Sequence, residues 1–251
     1  MTSSDRPVAE GASRRHAVLE LADTIAGIER GHPLRVAIDG VGASGKTCLA
    51  DELASALRAR GRQVIRAGVD GFHNPPAARY RRGADSPLGY YEDSFDHQAI
   101  WECLAGPLGA GGDRRYRVAV YDFRSERSLE TPTETAVDDA ILLFDGVFLL
   151  RPELRSWWDL SVFVHTAFDV TLARALERDV ELFGSREEVR RRYEVRYIPG
   201  EKLYLERARP LDLADAIFLN DEPERAALVW RTGRPGVEQT AAGQSRREGT
   251  Q

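Results

Sequence analysis

The chain has 251 residues, of which 42% are hydrophobic, enough for one domain with a full apolar core. Its 35 basic and 40 acidic residues leave a net charge of −5, which argues against a general nucleic-acid coat or a binder of anionic membranes. Cys48 and Cys103 offer neither a disulfide framework nor a metal-ligand spacing, and the longest apolar run, 140–150, is interrupted by Asp145 and Gly146, so nothing in it spans a bilayer.

Residues 1–12 are small and polar, without the apolar core of a secretion signal. They read as a flexible leader, and the chain as a cytoplasmic protein. Val18, Leu21, Ala22, Ile25 and Ile28 recur at helical spacing, and Gly31 with Pro33 ends that helix. Residues 34–38 form a short buried strand, 48–60 a helix closed by Gly61, and 63–69 a second strand. A long loop rich in Pro, Gly, Arg and Tyr is expected over 71–93, then a helix over 97–104 and a strand over 117–121. Residues 140–144 are apolar throughout, the mark of a strand buried on both faces. A strand over 160–164, a helix over 170–182, a charged helix over 185–193 and a last strand over 216–219 complete the pattern. Strands alternating with helices, the strands apolar rather than alternating, predict an α/β fold: a central parallel sheet between two helical layers. Residues 13–231 are taken as one domain and 232–251, polar and Gly-rich, as a disordered tail.

Only two of the 35 basic residues are lysines, Lys46 and Lys202. Lys202 follows Gly200 and Glu201 in an expected surface loop. Lys46 falls in Gly40-Val41-Gly42-Ala43-Ser44-Gly45-Lys46-Thr47, a complete G-x-x-x-x-G-K-[ST] run between an apolar strand and a helix. Such a loop turns its backbone N–H groups inward as an anion nest, and the following helix adds its positive end. Lys46 then reaches the β- and γ-phosphates of ATP, and the Thr47 hydroxyl ligates Mg²⁺. Asp145, at the end of the apolar strand, is the expected second Mg²⁺ group. Asp70, where strand two ends in Val-Asp-Gly beside the strand that enters the glycine loop, is the expected general base for a hydroxyl attacking phosphorus, also within reach of the metal. No Asn-Lys pair exists, which removes the guanine-reading motif of GTPases. Arg174 and Arg178 share one helical face, and one of them suits the ATP phosphates. His73 is either a substrate contact or a loop histidine without a role.

The same landmarks resemble the uridine kinase/phosphoribulokinase family of P-loop kinases over about 36–219. They are the glycine loop, VDGFH, YEDSFD, VYDFRSE, LLFDG, RALERD and the late ARP…ADA run. Within that family the chain looks most like uridine kinase. The resemblance implies transfer of the ATP γ-phosphate to the 5′-hydroxyl of uridine or cytidine, with Mg²⁺. It implies Asp70 as base, Asp145 where the family has Glu before Gly, Tyr121 and Asp122 as a nucleoside wall, and Arg178 as the lid-side arginine. The ribose clamp is expected near Tyr90 and Tyr91, with Asp93 close by. A small hydroxyl substrate is the expected partner, with no nucleic acid or membrane, and a homo-oligomer is compatible with such families. This chain differs at Asp70-Gly71-Phe72-His73, at Glu126 and at Phe183-Gly184-Ser185. Those differences keep open a kinase for pantothenate, a pentose or another sugar, and a non-catalytic ATP-binding regulatory domain.

Overall fold

The computed structural model describes residues 13–231; the expected leader and tail lie outside the described residues. Six strands form one sheet: β1 (Leu34–Gly40), β2 (Val64–Gly68), β3 (Ile141–Gly146), β4 (Leu160–His165), β5 (Ala216–Leu219) and β6 (Ala227–Trp230). Their order is β6-β5-β4-β1-β3-β2, with every pair parallel except β5 with β6. The sheet is therefore mixed, an antiparallel edge strand added to the expected parallel core.

Strand two was expected beside the strand that enters the glycine loop, and β3 stands between them instead. The burial pattern gives the reason. All six residues of β3 are buried, whereas β2 alternates between buried and half-buried, so the fully apolar strand takes the inner seat. Along β1 and β3 successive side chains enter opposite faces. Val36, Ile38, Ile141 and Leu143 pack toward the helices α1 (Arg14–Ala26) and α2 (Lys46–Arg58), while Ala37, Leu142 and Phe144 pack with Phe72, Phe148 and Tyr204. That two-sided burial is why these strands lack a polar face.

The connections depart most from the sequence pattern. The expected loop over 71–93 contains a 3₁₀ turn, Val69–Phe72, a single turn, Pro76–Arg79, and the helix α3 (Pro87–Asp93), capped by Ser86 Oγ on Gly89 N–H at 3.0 Å. The strand expected over 117–121 is not in the sheet. Arg115–Tyr116 pairs with Glu134–Thr135, and Tyr121–Asp122 with Arg127–Ser128. Arg117 N donates to Cys103 O and Val120 N to Gly71 O, so this stretch spends its backbone bonds on loops. The helix expected over 170–182 ends as α4 (Phe168–Arg178), with a separate turn Val180–Phe183 after Asp179. The helix α5 (Arg186–Arg192) runs through a wide turn, Tyr193–Tyr197, into α6 (Ile198–Ala208).

Helix α6 has no counterpart in the sequence pattern, and it places Lys202 on a helix rather than in a loop. Pro199 and Gly200 read as breakers, but proline is tolerated in a first helical turn. Gly200 is needed for packing: a Cβ there would lie 2.8 Å from the Tyr90 ring and 2.9 Å from Pro87 O. The α3–α6 contact so formed carries residues from both helices to the site.

Candidate active site

The glycine loop leaves β1 at Gly40 and enters α2 at Gly45. Both have positive φ, +150° and +96°, and a Cβ at either would strike a neighbour: Val164 O at 2.5 Å, or Asn220 Nδ2 at 2.4 Å. The loop is tied from behind. Ser44 O accepts from Asn220 Nδ2 at 2.6 Å and Thr166 Oγ1 at 3.2 Å. Arg174 also joins this tie, donating through Nη2 to Asn220 O at 2.8 Å and Asp221 O at 3.0 Å. The loop's carbonyl is thereby engaged on the side of β4 and β5, which suits an anion nest built from the N–H groups.

At the front, Lys46 is buried and its Nζ donates to Val41 O at 2.6 Å. Burial lowers its pKa, and the carboxylates of Glu201, Asp39 and Asp145 work against that shift. Thr47 Oγ1 donates to Asp145 Oδ2 at 2.7 Å, and Asp145 Oδ1 faces Arg66 Nη1 at 3.0 Å. A hydroxyl and a carboxylate held together at a phosphate nest fit one Mg²⁺ that takes its other ligands from phosphates and water. Among the described residues no group of three His, Cys, Asp or Glu side chains is placed to hold a metal.

A cavity of about 480 Å³ opens from this loop. Asp70 lines it from the 3₁₀ turn after β2, with a side chain 70% exposed. His73 lines it too, between the rings of Phe95 and Phe123 at 4.7 and 4.9 Å. Its Nδ1 lies 3.0 Å from Asp70 O, so the neutral ring carries its proton on Nδ1. Burial lowers its pKa, with the neighbouring Asp70 opposing the shift. Arg178 lines it as well, its Nε and Nη2 on both oxygens of Asp179 at 2.7 and 3.0 Å.

Gly42, Ala43, Lys46, Thr47, Asp70, His73, Asp145 and Arg178 therefore meet at one cavity. Of the other expected site residues, Gly40, Val41, Ser44 and Gly45 belong to the loop without lining the cavity, and five more lie off it. Arg174 ties the loop from behind. Tyr91 is buried against Phe148 and Tyr204 with Arg151 over its ring at 4.5 Å, and its neighbour Tyr90 takes the cavity wall. Asp93 is buried under Arg81 and Arg82. Tyr121 donates to Glu126 Oε2 at 3.0 Å, and Asp122 accepts from Arg124 N and Ser125 Oγ in a turn.

Arg79 and Glu126 line the cavity as an ion pair at 2.5 Å, although Arg79 reads in sequence as one of several loop arginines. Arg192 and Arg196 reach the cavity, while Arg190 and Arg191 stay outside on Glu194, Glu188 and Asp85. Glu201 has no signal in the sequence at all. It is 1% exposed, its Oε1 accepts from Gly42 N–H at 2.7 Å, and burial pushes its pKa up to about 7. Only the helix hidden behind Pro199 and Gly200 brings it there.

A mostly parallel sheet with a glycine nest between its central strand and a helix, beside a Thr–Asp pair and a buried lysine, defines a P-loop nucleotide-binding fold. Residues 36–219 match the phosphoribulokinase/uridine kinase family, and the chain belongs to it. It is 30% identical over 150 residues to uridine-cytidine kinase B of Dictyostelium discoideum, covering 59% of each chain. It is 29% identical over 151 residues to a uridine kinase of Schizosaccharomyces pombe, covering 59% of this chain and 32% of that one. The chain thus spans three fifths or less of the length of these relatives. The solved structure of a "possible uridine kinase" from Bacillus stearothermophilus superposes with a TM-score of 0.64 at 25% identity, over 81% of this chain and 97% of that one. Among the described residues no helix is long and apolar enough to cross a membrane.

Proposed function

We propose that the protein transfers the γ-phosphoryl group of ATP to the 5′-hydroxyl of a pyrimidine ribonucleoside, uridine or cytidine, in the cytoplasm. The observation that carries this reading is the convergence of Lys46, the Thr47–Asp145 pair and Asp70 on one cavity. Mg²⁺ held by Thr47 and Asp145 supplies charge neutralisation at the phosphates. Lys46 exchanges Val41 O for phosphate oxygens. Arg178, aligned by Asp179, keeps Nη1 for the transferring group, where a fixed cation stabilises developing charge. Asp70 accepts the proton of the attacking hydroxyl, its exposed side chain lining the cavity where that hydroxyl would enter. Positioning and electrostatics account for the chemistry, without a covalent intermediate on the protein.

A second reading keeps the chemistry and changes the acceptor to another small alcohol, such as pantothenate, a pentose or another sugar. It is favoured by the placement of Asp93, Tyr91 and Tyr121, which serve structural pairs rather than the cavity wall. Phosphorylation assays with uridine, cytidine and that panel, using ATP–Mg²⁺, separate the two. Product from uridine or cytidine alone supports the first; product only from another alcohol supports the second. ATP binding without transfer to any alcohol makes the protein a nucleotide-binding regulatory domain. Asp70→Asn should lower kcat by about 10²–10⁴-fold with whichever acceptor is used, and an unchanged kcat removes Asp70 as base.

A further inference from the structure

One carboxylate already occupies the phosphate nest. Glu201 Oε1 accepts Gly42 N–H at 2.7 Å, and Gly42 belongs to the loop whose backbone N–H groups cradle phosphate. A carboxylate oxygen on such a donor stands in for a phosphate oxygen. The approach depends on glycine, because a Cβ at Gly42 would lie 3.0 Å from that oxygen. The other oxygen, Oε2, is sealed from solvent, with the Tyr90 hydroxyl near the carboxyl group as a further polar neighbour. Three residues further along the same face of α6, Tyr204 donates to Asp39, the residue just before the loop. Helix α6 therefore grips the loop at its entrance and in its middle.

We propose that Glu201 is a positioning residue that holds Gly42 N–H in the nucleotide-free protein as a surrogate for a phosphate oxygen, and that it takes up a proton when a nucleoside triphosphate enters the loop. This deepens the nucleotide half of the proposed function and is independent of the acceptor. The groups facing Glu201 are Lys46 of α2, Arg178 of α4, Tyr90 of α3 and Tyr193 of the turn after α5. Before nucleotide enters, burial raises the carboxyl, while the Gly42 N–H bond, Lys46, the Tyr90 hydroxyl and Arg178 favour its ionised form. Phosphates claim both cations, and the carboxylate is left beside a polyanion in a water-poor site, where a like charge disfavours ionisation. Burial lifts this carboxyl to about 7 even against those groups, so the added charge carries it above neutrality. A protonated Glu201 yields Gly42 N–H to a phosphate oxygen and gains a donor of its own, with the Tyr90 hydroxyl beside it to accept.

The sign follows from linkage. Proton uptake on binding means that affinity falls as pH rises above the free-state value of about 7, and is flat well below it. The test is titration calorimetry of Mg–ATP binding at pH 8, with no acceptor present, in two buffers of different ionisation enthalpy. The expected result is uptake of roughly half a proton or more, and close to none for Glu201→Gln, which keeps an acceptor for Gly42. Affinity should also fall by up to about tenfold per pH unit above pH 7.5 in the wild type and stay level in the variant. Zero uptake or release by the wild type, or equal uptake by the variant, overturns the proposal. Should Glu201→Gln fail to fold, the wild-type buffer pair decides alone. Binding without proton uptake sinks only the role of Glu201, whereas absence of any Mg–ATP binding sinks the proposed function as well.

Discussion

The half of the cavity proposed for the nucleotide stands on the sheet, and the half proposed for the acceptor stands on connections. Gly40, Lys46, Thr47 and Asp145 sit at the ends of β1 and β3 and the start of α2, all among the most buried elements. Asp70, His73, Arg79 and Glu126 sit on a 3₁₀ turn, a single helical turn and a two-strand corner, tied to one another by side chains. The first half inherits its geometry from close-packed backbone. The second depends on a few ion pairs and ring contacts, so loop changes can remake it while the phosphate chemistry stays.

Substitutions should separate the halves. The largest effect is expected from Lys46→Ala: a fall of about 10²–10³-fold in kcat from loss of a preorganised cation at the phosphates, with little change in acceptor KM. An equal loss in acceptor KM would show that the halves are not separable. Glu126→Gln should be intermediate. It removes the partner of Arg79, whose side chain is 6% exposed, and an unpaired buried guanidinium costs about 2 kcal/mol of stability, less than a fully buried pair because Glu126 is itself exposed. Thermal unfolding reads that loss, and a raised acceptor KM at unchanged ATP KM reads its confinement to one half.

The smallest expected effect is an acid-limb difference at Asp93. Burial works to raise its pKa, but hydrogen bonds and charge from Arg81 and Arg82 hold it below the usual value of 3.8. A depressed carboxyl contributes stability that is present above pH 3.8 and is lost as pH falls through the folded-state value. Asp93→Asn should therefore lose stability at pH 6 and match the wild type at the acid end. Parallel stability curves for the two proteins down to that end would show that the Arg81–Asp93–Arg82 cluster does not hold the acceptor loop.

How much was legible follows the same division. The glycine loop is a contiguous run whose residue types impose their own backbone shape, so Gly40, Gly45, Lys46 and Thr47 could be read directly. Asp145 was legible because an apolar strand ending in Asp-Gly has few structural alternatives. Tyr91, Asp93 and Tyr121 have the right chemistry for a substrate wall, but side-chain direction is set by packing. In α3 it is Tyr90 that faces the cavity while Tyr91 turns to the core. The loop arginines divide for the same reason, Arg79 inward to Glu126 and Arg81 and Arg82 to Asp93.

By itself the sequence determined the phosphate nest, the apolar strands and the alternation that makes an α/β sheet, because each rests on local backbone preference or on periodic burial. Only the tertiary structure decided that β3 sits between β1 and β2, that helix α6 forms across Pro199 and Gly200, and that Glu201 meets Gly42 159 residues away. Those outcomes depend on which surfaces bury one another, a competition among distant segments that no local pattern records.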